Sequence, residues 1–273
     1  MLTELAETPV EEFDGVYVKR EDLCAAGFDL PPFSKMRGVV EHIENRPEHL
    51  IGVLDTFHSM AGWGVACACR SLGKQAIVFW PRYKNERGLR LFQQHAEAAG
   101  AHLAPLKAGM SAVLYHQARK ILREQYEDAY MMPNALKLSE TVSQTSLELQ
   151  MTLENYAELD FRTLFISISS GTIAAGIFHG LHATGRKTPK VVLHMGYSRS
   201  HENALAYLSQ MSEVEDLSPY LEGIVDEGYG YRDKVDYPVP FPCNPYYDAK
   251  AWKYLSSHQL DYENSILFWN IGA

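Results

Sequence analysis

The chain has 273 residues, of which 46% are hydrophobic, and it carries a formal net charge of −9 at pH 7. This length and composition are typical of a globular protein of one or two domains. The negative charge argues against nucleic acid or an anionic membrane surface as the main partner, because such binders usually carry a basic face. The four cysteines are too few and too scattered for a disulfide framework.

The sequence also lacks the signals of export, membrane insertion and metal binding. No signal peptide is visible at the N-terminus, and no apolar run reaches the roughly 20 residues that span a bilayer. Cys67 and Cys69 are two positions apart on a predicted helix and therefore point to different faces, and His58 has no HExxH partner. We therefore expect a cytoplasmic protein without a membrane partner and without a metal.

Strands and helices alternate along most of the chain. The predicted strands cover residues 16–18, 50–55, 75–80, 102–106, 163–169, 190–195, 224–225 and 266–269. The predicted helices cover residues 34–45, 61–72, 86–99, 111–126, 139–156, 171–182, 202–211 and 249–256. This alternation indicates βαβ units and mainly parallel sheets. Two such series predict an α/β protein with two α/β lobes, a small domain over residues 48–135 and a large domain formed by residues 1–47 and 136–273.

A loop of four small residues follows the predicted strand 163–169 and leads into a helix. Ser169, Ser170, Gly171 and Thr172 offer hydroxyls and a helix N-terminus, whose unpaired N–H groups and dipole favour a phosphate group. The alternative is an ordinary capped helix start, for which Ser and Thr are preferred. Because GxGxxG and GxxxxGK[ST] are both absent, dinucleotide and P-loop sites lack their main support.

Lys35 lies at the predicted start of a helix. The helix dipole disfavours a cation there and lowers the pKa of the ammonium group, which suits a lysine that forms a Schiff base. The alternative is a solvated surface lysine. Ser59 lies in a second strand-to-helix loop, which can hold a substrate carboxylate. Tyrosines cluster in residues 228–231 and 244–248, where a ring with a polar tip suits a half-buried site.

The order of these signals resembles the tryptophan-synthase-β-like, fold type II enzymes that depend on pyridoxal 5′-phosphate (PLP). Within them, it is most similar to the 1-aminocyclopropane-1-carboxylate (ACC) deaminase and D-cysteine desulfhydrase family. Residues 16–23, VYVKREDL, resemble that family's VKREDL strand, and residues 34–37 its GNKxRK segment. Residues 228–230, 244–251 and 266–273 resemble its Gly-Tyr-Gly, DPVYTGKA and ILFIHTGG segments.

The resemblance implies a cofactor, PLP, and a role for each matching residue. The catalytic residues of the family correspond to Lys35, which forms the Schiff base, and to Ser59 and Tyr247. Asp248 falls where a carboxylate faces the pyridine nitrogen of the cofactor. The implied cofactor-binding residues are Lys35, Ser169, Ser170, Gly171, Thr172, Tyr229 and Asp248, most of them in the large domain.

The implied activity is that of a PLP-dependent lyase or deaminase, in a homodimer. Such an enzyme acts on a small amino acid through an external aldimine, by elimination, deamination or β-replacement. Two alternatives stay open, and two departures from the family favour the first: Met60 replaces an Asn, and Ile271 replaces the Thr of the closing segment. One alternative is a degenerate relative that binds PLP or another ligand without turnover. The other is an α/β oxidoreductase or transferase with a different phosphate-bearing cofactor.

Overall fold

The computed structural model describes residues 5, 7–56, 58–84, 88–262 and 265–272. Its strands are β1 (Val10–Phe13), β2 (Val16–Arg20), β3 (Leu50–Leu54), β4 (Gln75–Arg82), β5 (His102–Lys107), β6 (Ala129–Met131), β7 (Thr163–Ile168), β8 (Lys190–Met195), β9 (Leu221–Val225) and β10 (Ile266–Asn270). Its α-helices are α1 (Met36–Glu44), α2 (Ala61–Ser71), α3 (Leu91–Ala98), α4 (Ser111–Gln125), α5 (Ser139–Asn155), α6 (Thr172–Ala183), α7 (His201–Ser212) and α8 (Asp248–His258). Within the described ranges, no helix is long and apolar enough to cross a membrane.

The predicted α/β class with mainly parallel sheets is confirmed, and each predicted strand and helix has a counterpart. The sequence does not predict β1 or β6, since β1 carries two glutamates and β6 has three residues. The third helix begins at Leu91, because Gln93 accepts a hydrogen bond from the backbone N–H of Arg90 and so caps the helix there. Glu86, where this helix was predicted to start, and Ala273 in the closing segment lie outside the described residues.

The chain divides into two compact units. The first contains Gly27–Pro31 and Met36–Leu138, and the second contains Leu5–Ala26, Pro32–Lys35 and Ser139–Ala273. The first unit has a four-stranded parallel sheet in the order β5-β4-β3-β6. The bounds of the two predicted domains, residues 48–135 for the small one and the two flanks for the large one, stay a prediction.

The second unit has a six-stranded sheet in the order β1-β2-β10-β7-β8-β9, in which β1 alone is antiparallel to its neighbour. Both faces of this sheet are covered. Leu164, Ile166 and Ile168 of β7 pack in the core with α5, α6 and α7, and Phe165 packs on the other face with α8. This explains why β7 is a continuous buried run, as is typical of a parallel strand buried on both sides.

The charged run that ends β2 is buried and paired. Lys19 is fully buried, and its Nζ lies 2.6 Å from Oε1 of Glu148 on α5 and 2.5 Å from the carbonyl oxygen of Thr8. The next residue follows the same principle, since Arg20 donates two hydrogen bonds to the carboxylate of Asp22, from Nε at 2.9 Å and from Nη2 at 2.8 Å. Charges are tolerated in a core only when they are paired and hydrogen-bonded. The lysine and arginine of the VKREDL segment therefore have structural partners.

We predict that Lys19→Met destabilises the protein by about 3–5 kcal/mol, because it leaves the carboxylate of Glu148 buried without its cation. The measurement is the free energy of unfolding in urea. Arg162→Gln is the matched control. It removes an exposed pair with Asp160, which contributes about 0–1 kcal/mol. Equal losses for the two variants would contradict this account of the buried pair.

Candidate functional site

Parallel strands of the second unit end at a common edge of the sheet, and the loops that follow them carry polar residues. The loop after β7 leads into α6 through Gly171, the N-cap residue, whose φ is 91°. This left-handed conformation is one that glycine adopts without strain. A Cβ at that position would also lie 3.2 Å from the side chains of Tyr207 and Leu208. The loop is therefore held close to α7. The unpaired N–H groups of the first turn of α6 lie next to it.

Lys35 lies beside this loop. Its Nζ donates a hydrogen bond to Oγ of Ser170 at 2.9 Å. The Ser170 hydroxyl is 3.2 Å from Oγ1 of Thr172, which in turn is 3.0 Å from the phenol oxygen of Tyr207. An amine, three hydroxyls and a helix N-terminus therefore converge at one place. The structure thus brings together Lys35 and the loop 169–172, two features that the sequence singled out separately.

Backbone contacts to the end of the chain fix the segment that carries Lys35. The N–H of Ser34 donates to the carbonyl oxygen of Ile271 at 2.8 Å, and Phe33 forms an antiparallel bridge with Gly272. The approach is close, since a Cβ on Gly272 would lie 2.7 Å from Cβ of Phe33 and 2.8 Å from the carbonyl oxygen of Pro32. Glycine at this position therefore allows the two segments to pair.

Asp248, the first residue of α8, is buried in the same region. Its Oδ1 accepts a weak hydrogen bond from the N–H of Ile271 at 3.4 Å, next to the residues that hold Ser34. Burial raises the pKa of Asp248 well above its usual range, and the nearby negative charge of Asp22 acts in the same direction. Burial therefore favours the neutral form of this carboxyl, whereas a cation beside it would favour the anion.

Tyr247 precedes Asp248, and its phenol is hydrogen-bonded to the side chains of Ser169 and Tyr231. Burial raises its pKa well above 10, so the phenol keeps its proton at neutral pH. The ring packs against the backbone after β8, where a Cβ on Gly196 would lie 2.9 Å from Cδ1 of Tyr247. Tyr247 is therefore a group that holds a proton beside the loop after β7.

Lys250 is a buried residue that sequence reasoning missed. It is fully buried, and its Nζ donates to the carbonyl oxygen of Gly196 at 2.6 Å. Its Nζ also lies 4.6 Å from the ring centre of Tyr229. Tyr229, predicted to contact the cofactor, thus packs against α8, and its role as a cofactor contact stays a prediction. The only signal for Lys250 was its position in the matched segment 244–251.

The second predicted loop, after β3, belongs to the first unit. The Ser59 hydroxyl accepts a hydrogen bond from the N–H of Ala61 at 3.0 Å, at the start of α2. Asp55 is buried at the end of β3, where it accepts hydrogen bonds from the N–H groups of Thr56 and Gly62. Burial raises the pKa of Asp55 to about 7. The catalytic role of Ser59 stays a prediction.

Metal chemistry has no support in the part of the chain that the structure describes, where no group of three or more His, Cys, Asp and Glu side chains could hold an ion. The four cysteines are free. Cys67 and Cys69 are both buried in α2, and burial raises the pKa of Cys69 to about 12, so its thiol stays protonated.

The chain is similar to a named protein along almost its whole length. The glycyl-dTMP PLP-dependent decarboxylase of Pseudomonas phage M6 is 50% identical to it over 277 residues, which cover 97% of this chain and 98% of the phage protein. No family model matches the sequence.

Solved structures share the fold. An ACC deaminase homologue matches with a TM-score of 0.81 and 18% identity, over 99% of this chain and 90% of that one. A fungal L-serine ammonia-lyase from Rhizomucor miehei matches with a TM-score of 0.66 and 16% identity, over 98% of this chain and 93% of that one. At these identities the likeness concerns the fold alone.

We predict that Gly272→Ala separates the Phe33 segment from the end of the chain and destabilises the protein by about 1–3 kcal/mol, the usual cost of overpacking. The measurement is the free energy of unfolding in urea. Gly223→Ala on β9 is the matched control, because a Cβ there meets nothing within 4 Å. If the two alanine variants were equally stable, the close approach at Gly272 would not matter to the fold.

We predict that Asp55 makes stability depend on pH. The folded carboxyl keeps its proton up to about pH 7, whereas the unfolded one loses it near pH 3.9, so stability falls as pH rises between these values. Asp55→Asn removes this dependence. The change in unfolding free energy from pH 5 to pH 8 should become smaller by on the order of 2–3 kcal/mol. Asp29→Asn, at an exposed position of the same unit, is the control. An unaltered slope in Asp55→Asn would refute the prediction.

Proposed function

The chain belongs to the fold type II family of PLP-dependent enzymes, together with the phage decarboxylase, and from this premise we propose that it catalyses a decarboxylation. Its cofactor is PLP. When bound, PLP supplies an aldehyde that joins to an amine, and a ring that accepts the electrons of a bond broken at the α-carbon of an amino acid.

The residues at the carboxyl edge of the larger sheet fit this cofactor. The amine of Lys35 suits the aldehyde, and it lies 2.9 Å from Ser170, in the loop that we assign to the phosphate. The hydroxyls of Ser169, Ser170 and Thr172 and the first N–H groups of α6 are the donors for phosphate oxygens. This contact between the lysine and the loop is the observation that carries the proposal.

We assign Asp248 to the pyridine nitrogen. The Asp248 carboxyl is fully buried, and the charged group that raises its pKa, Asp22, is negative. Asp248 would pair with this nitrogen and keep it protonated, since a cation beside the buried carboxyl favours its ionised form. Ile271, which replaces a family Thr, contributes its backbone N–H to this carboxyl instead of a hydroxyl.

The candidate proton carriers suit a decarboxylation. Loss of CO₂ leaves electrons at the α-carbon that must take up a proton, whereas deamination or elimination begins with removal of a proton from that carbon. Tyr247 keeps its proton because burial raises its pKa, so we assign it as a group that holds a proton in the site. The amine of Lys35 would be the second proton carrier, and Ser59 stays the predicted substrate-handling residue.

The name of the phage relative specifies glycyl-dTMP. We therefore extend the predicted substrate from a small amino acid to an amino acid that is joined to a thymine nucleotide. A homodimer and a cytoplasmic location remain predictions. Of the alternatives, an oxidoreductase or transferase with another cofactor disagrees with the family, while deamination, elimination and a relative without turnover are outcomes that an assay distinguishes.

The decisive experiment is a product assay on the protein carrying PLP, with glycyl-dTMP as substrate. We expect release of one CO₂ per molecule consumed, without ammonia. Borohydride should attach the cofactor to Lys35, as located by peptide mapping. Lys35→Arg keeps the charge but cannot serve as the Schiff-base amine, and should lower the rate by at least the roughly 10²–10⁴-fold typical of a lost proton-transfer group.

Lys187→Arg, at an exposed position of the same unit, is the matched control and should keep full activity. Ammonia in place of CO₂ would refute decarboxylation in favour of the predicted deaminase or lyase activity. A PLP-bound protein that releases neither product, from glycyl-dTMP or from a panel of amino acids, would be a relative without turnover.

A further inference from the structure

Two more loops begin at the edge of the sheet that carries the proposed PLP site. Since β7, β8 and β9 are parallel, the residues that follow them lie on one side of the second unit. Tyr197 and Arg199 follow β8, and Tyr231 lies in the loop after β9. None of these three has a role in the chemistry proposed above.

The two tyrosines form an aromatic surface. The rings of Tyr197 and Tyr231 meet edge to face, with centroids 5.2 Å apart and an interplanar angle of 88°. Tyr231 is 37% exposed, which places it among the large hydrophobic side chains of the described chain that face solvent. An exposed ring held by a second ring offers a preformed surface for stacking a planar ligand.

Arg199 adds a cation to this surface. Its Nη1 donates to the phenol oxygen of Tyr197 at 3.3 Å, and its guanidinium carbon lies 5.3 Å from the centre of the same ring. Its Nε is buried, and no described residue gives that nitrogen a hydrogen-bond partner. A guanidinium with free donors attracts phosphate oxygens, which accept two parallel hydrogen bonds from it.

The carboxylates of the neighbouring loop are hydrogen-bonded to groups other than Arg199. Asp226 accepts from Ser198 and His201, Glu227 is paired with His194, and Asp233 accepts from the N–H of Gly230. Among the described residues, no ion pair joins Arg199 to a carboxylate, and its guanidinium contacts only Tyr197, so it is available to an anionic ligand.

The surface is continuous with the proposed reaction site. Tyr231 is hydrogen-bonded to Tyr247, and Tyr247 to Ser169. Ser169 is the neighbour in sequence of Ser170, which contacts the amine of Lys35. A chain of side-chain contacts therefore links the tyrosines to the loop that Lys35 contacts.

We propose that Tyr197, Arg199 and Tyr231, which we call the tyrosine–arginine platform, bind the thymine nucleotide part of the substrate. The pyrimidine ring stacks on the tyrosines, and Arg199 holds the phosphate. This inference rests on the proposed function, because it is the amino acid joined to a nucleotide that requires such a subsite.

The test is a calorimetric titration of the PLP-bound protein with dTMP and with thymidine, neither of which can react. Arg199→Gln should weaken dTMP binding by about 10- to 150-fold, the range for a hydrogen bond to a charged group, and leave thymidine binding nearly unchanged. Tyr231→Leu should weaken both ligands by about 5- to 150-fold, the range for a base stacked on an aromatic ring.

Two further variants serve as controls. Tyr231→Phe keeps the ring but loses the hydrogen bond to Tyr247, and should bind thymidine like the wild type. Arg186→Gln lies in the exposed connection between α6 and β8, at the opposite edge of the sheet, and should bind both ligands normally. A short oligothymidylate, titrated in parallel, distinguishes a nucleotide within a strand from a free one, and either source should show the same pattern among the variants.

Equal dTMP affinity in the wild type, Arg199→Gln and Tyr231→Leu would overturn the platform. So would a wild-type protein that releases CO₂ from glycyl-dTMP but binds none of the nucleotide probes. The reverse combination, in which dTMP binds with the expected pattern but no CO₂ is released, would support the platform and refute the decarboxylation.

Discussion

The backbone hydrogen bond from Ser34 to Ile271 sets the position of the amine on which the proposed chemistry depends. It ties the segment before α1 to the end of β10, and Lys35 then lies within hydrogen-bond distance of the loop after β7. The same end of β10 supplies the N–H that reaches Asp248. Four segments that are far apart in sequence thus share one edge of a sheet, since parallel strands carry their carboxyl ends together.

Burial then gives each group of this edge its chemical state. Tyr247 and Asp248 are adjacent in sequence, and both have a raised pKa because they lie in a region with little water. The phenol of Tyr247 stays protonated. The carboxyl of Asp248 favours its neutral form unless a cation lies beside it. The two neighbours can thus serve opposite ends of a cofactor–substrate complex, one near the atom that takes up a proton and the other near a ring nitrogen.

Much of this arrangement is readable from the sequence, because it depends on local patterns. Alternating apolar runs and helix periodicity predict the α/β fold, and a Ser-Ser-Gly-Thr loop between strand and helix predicts the phosphate-type turn. The contacts made by Lys250 and Tyr207 are not readable, because each pairs with a residue on another element. The sequence does not predict the short strands β1 and β6 for a similar reason, since they gain their hydrogen bonds only from neighbours in the folded sheet.

The amines of Lys35 and Lys250 lie at the same edge of the larger sheet and differ in their exposure to solvent. The nitrogen of Lys250 is sealed inside, with the Gly196 carbonyl on one side and the Tyr229 ring on the other. Lys35 is only half-buried, and its nitrogen contacts a serine hydroxyl, a partner that is easily exchanged. An electrophile entering from solvent therefore reaches the nitrogen of Lys35 and not that of Lys250, so that access distinguishes two groups of the same chemical type.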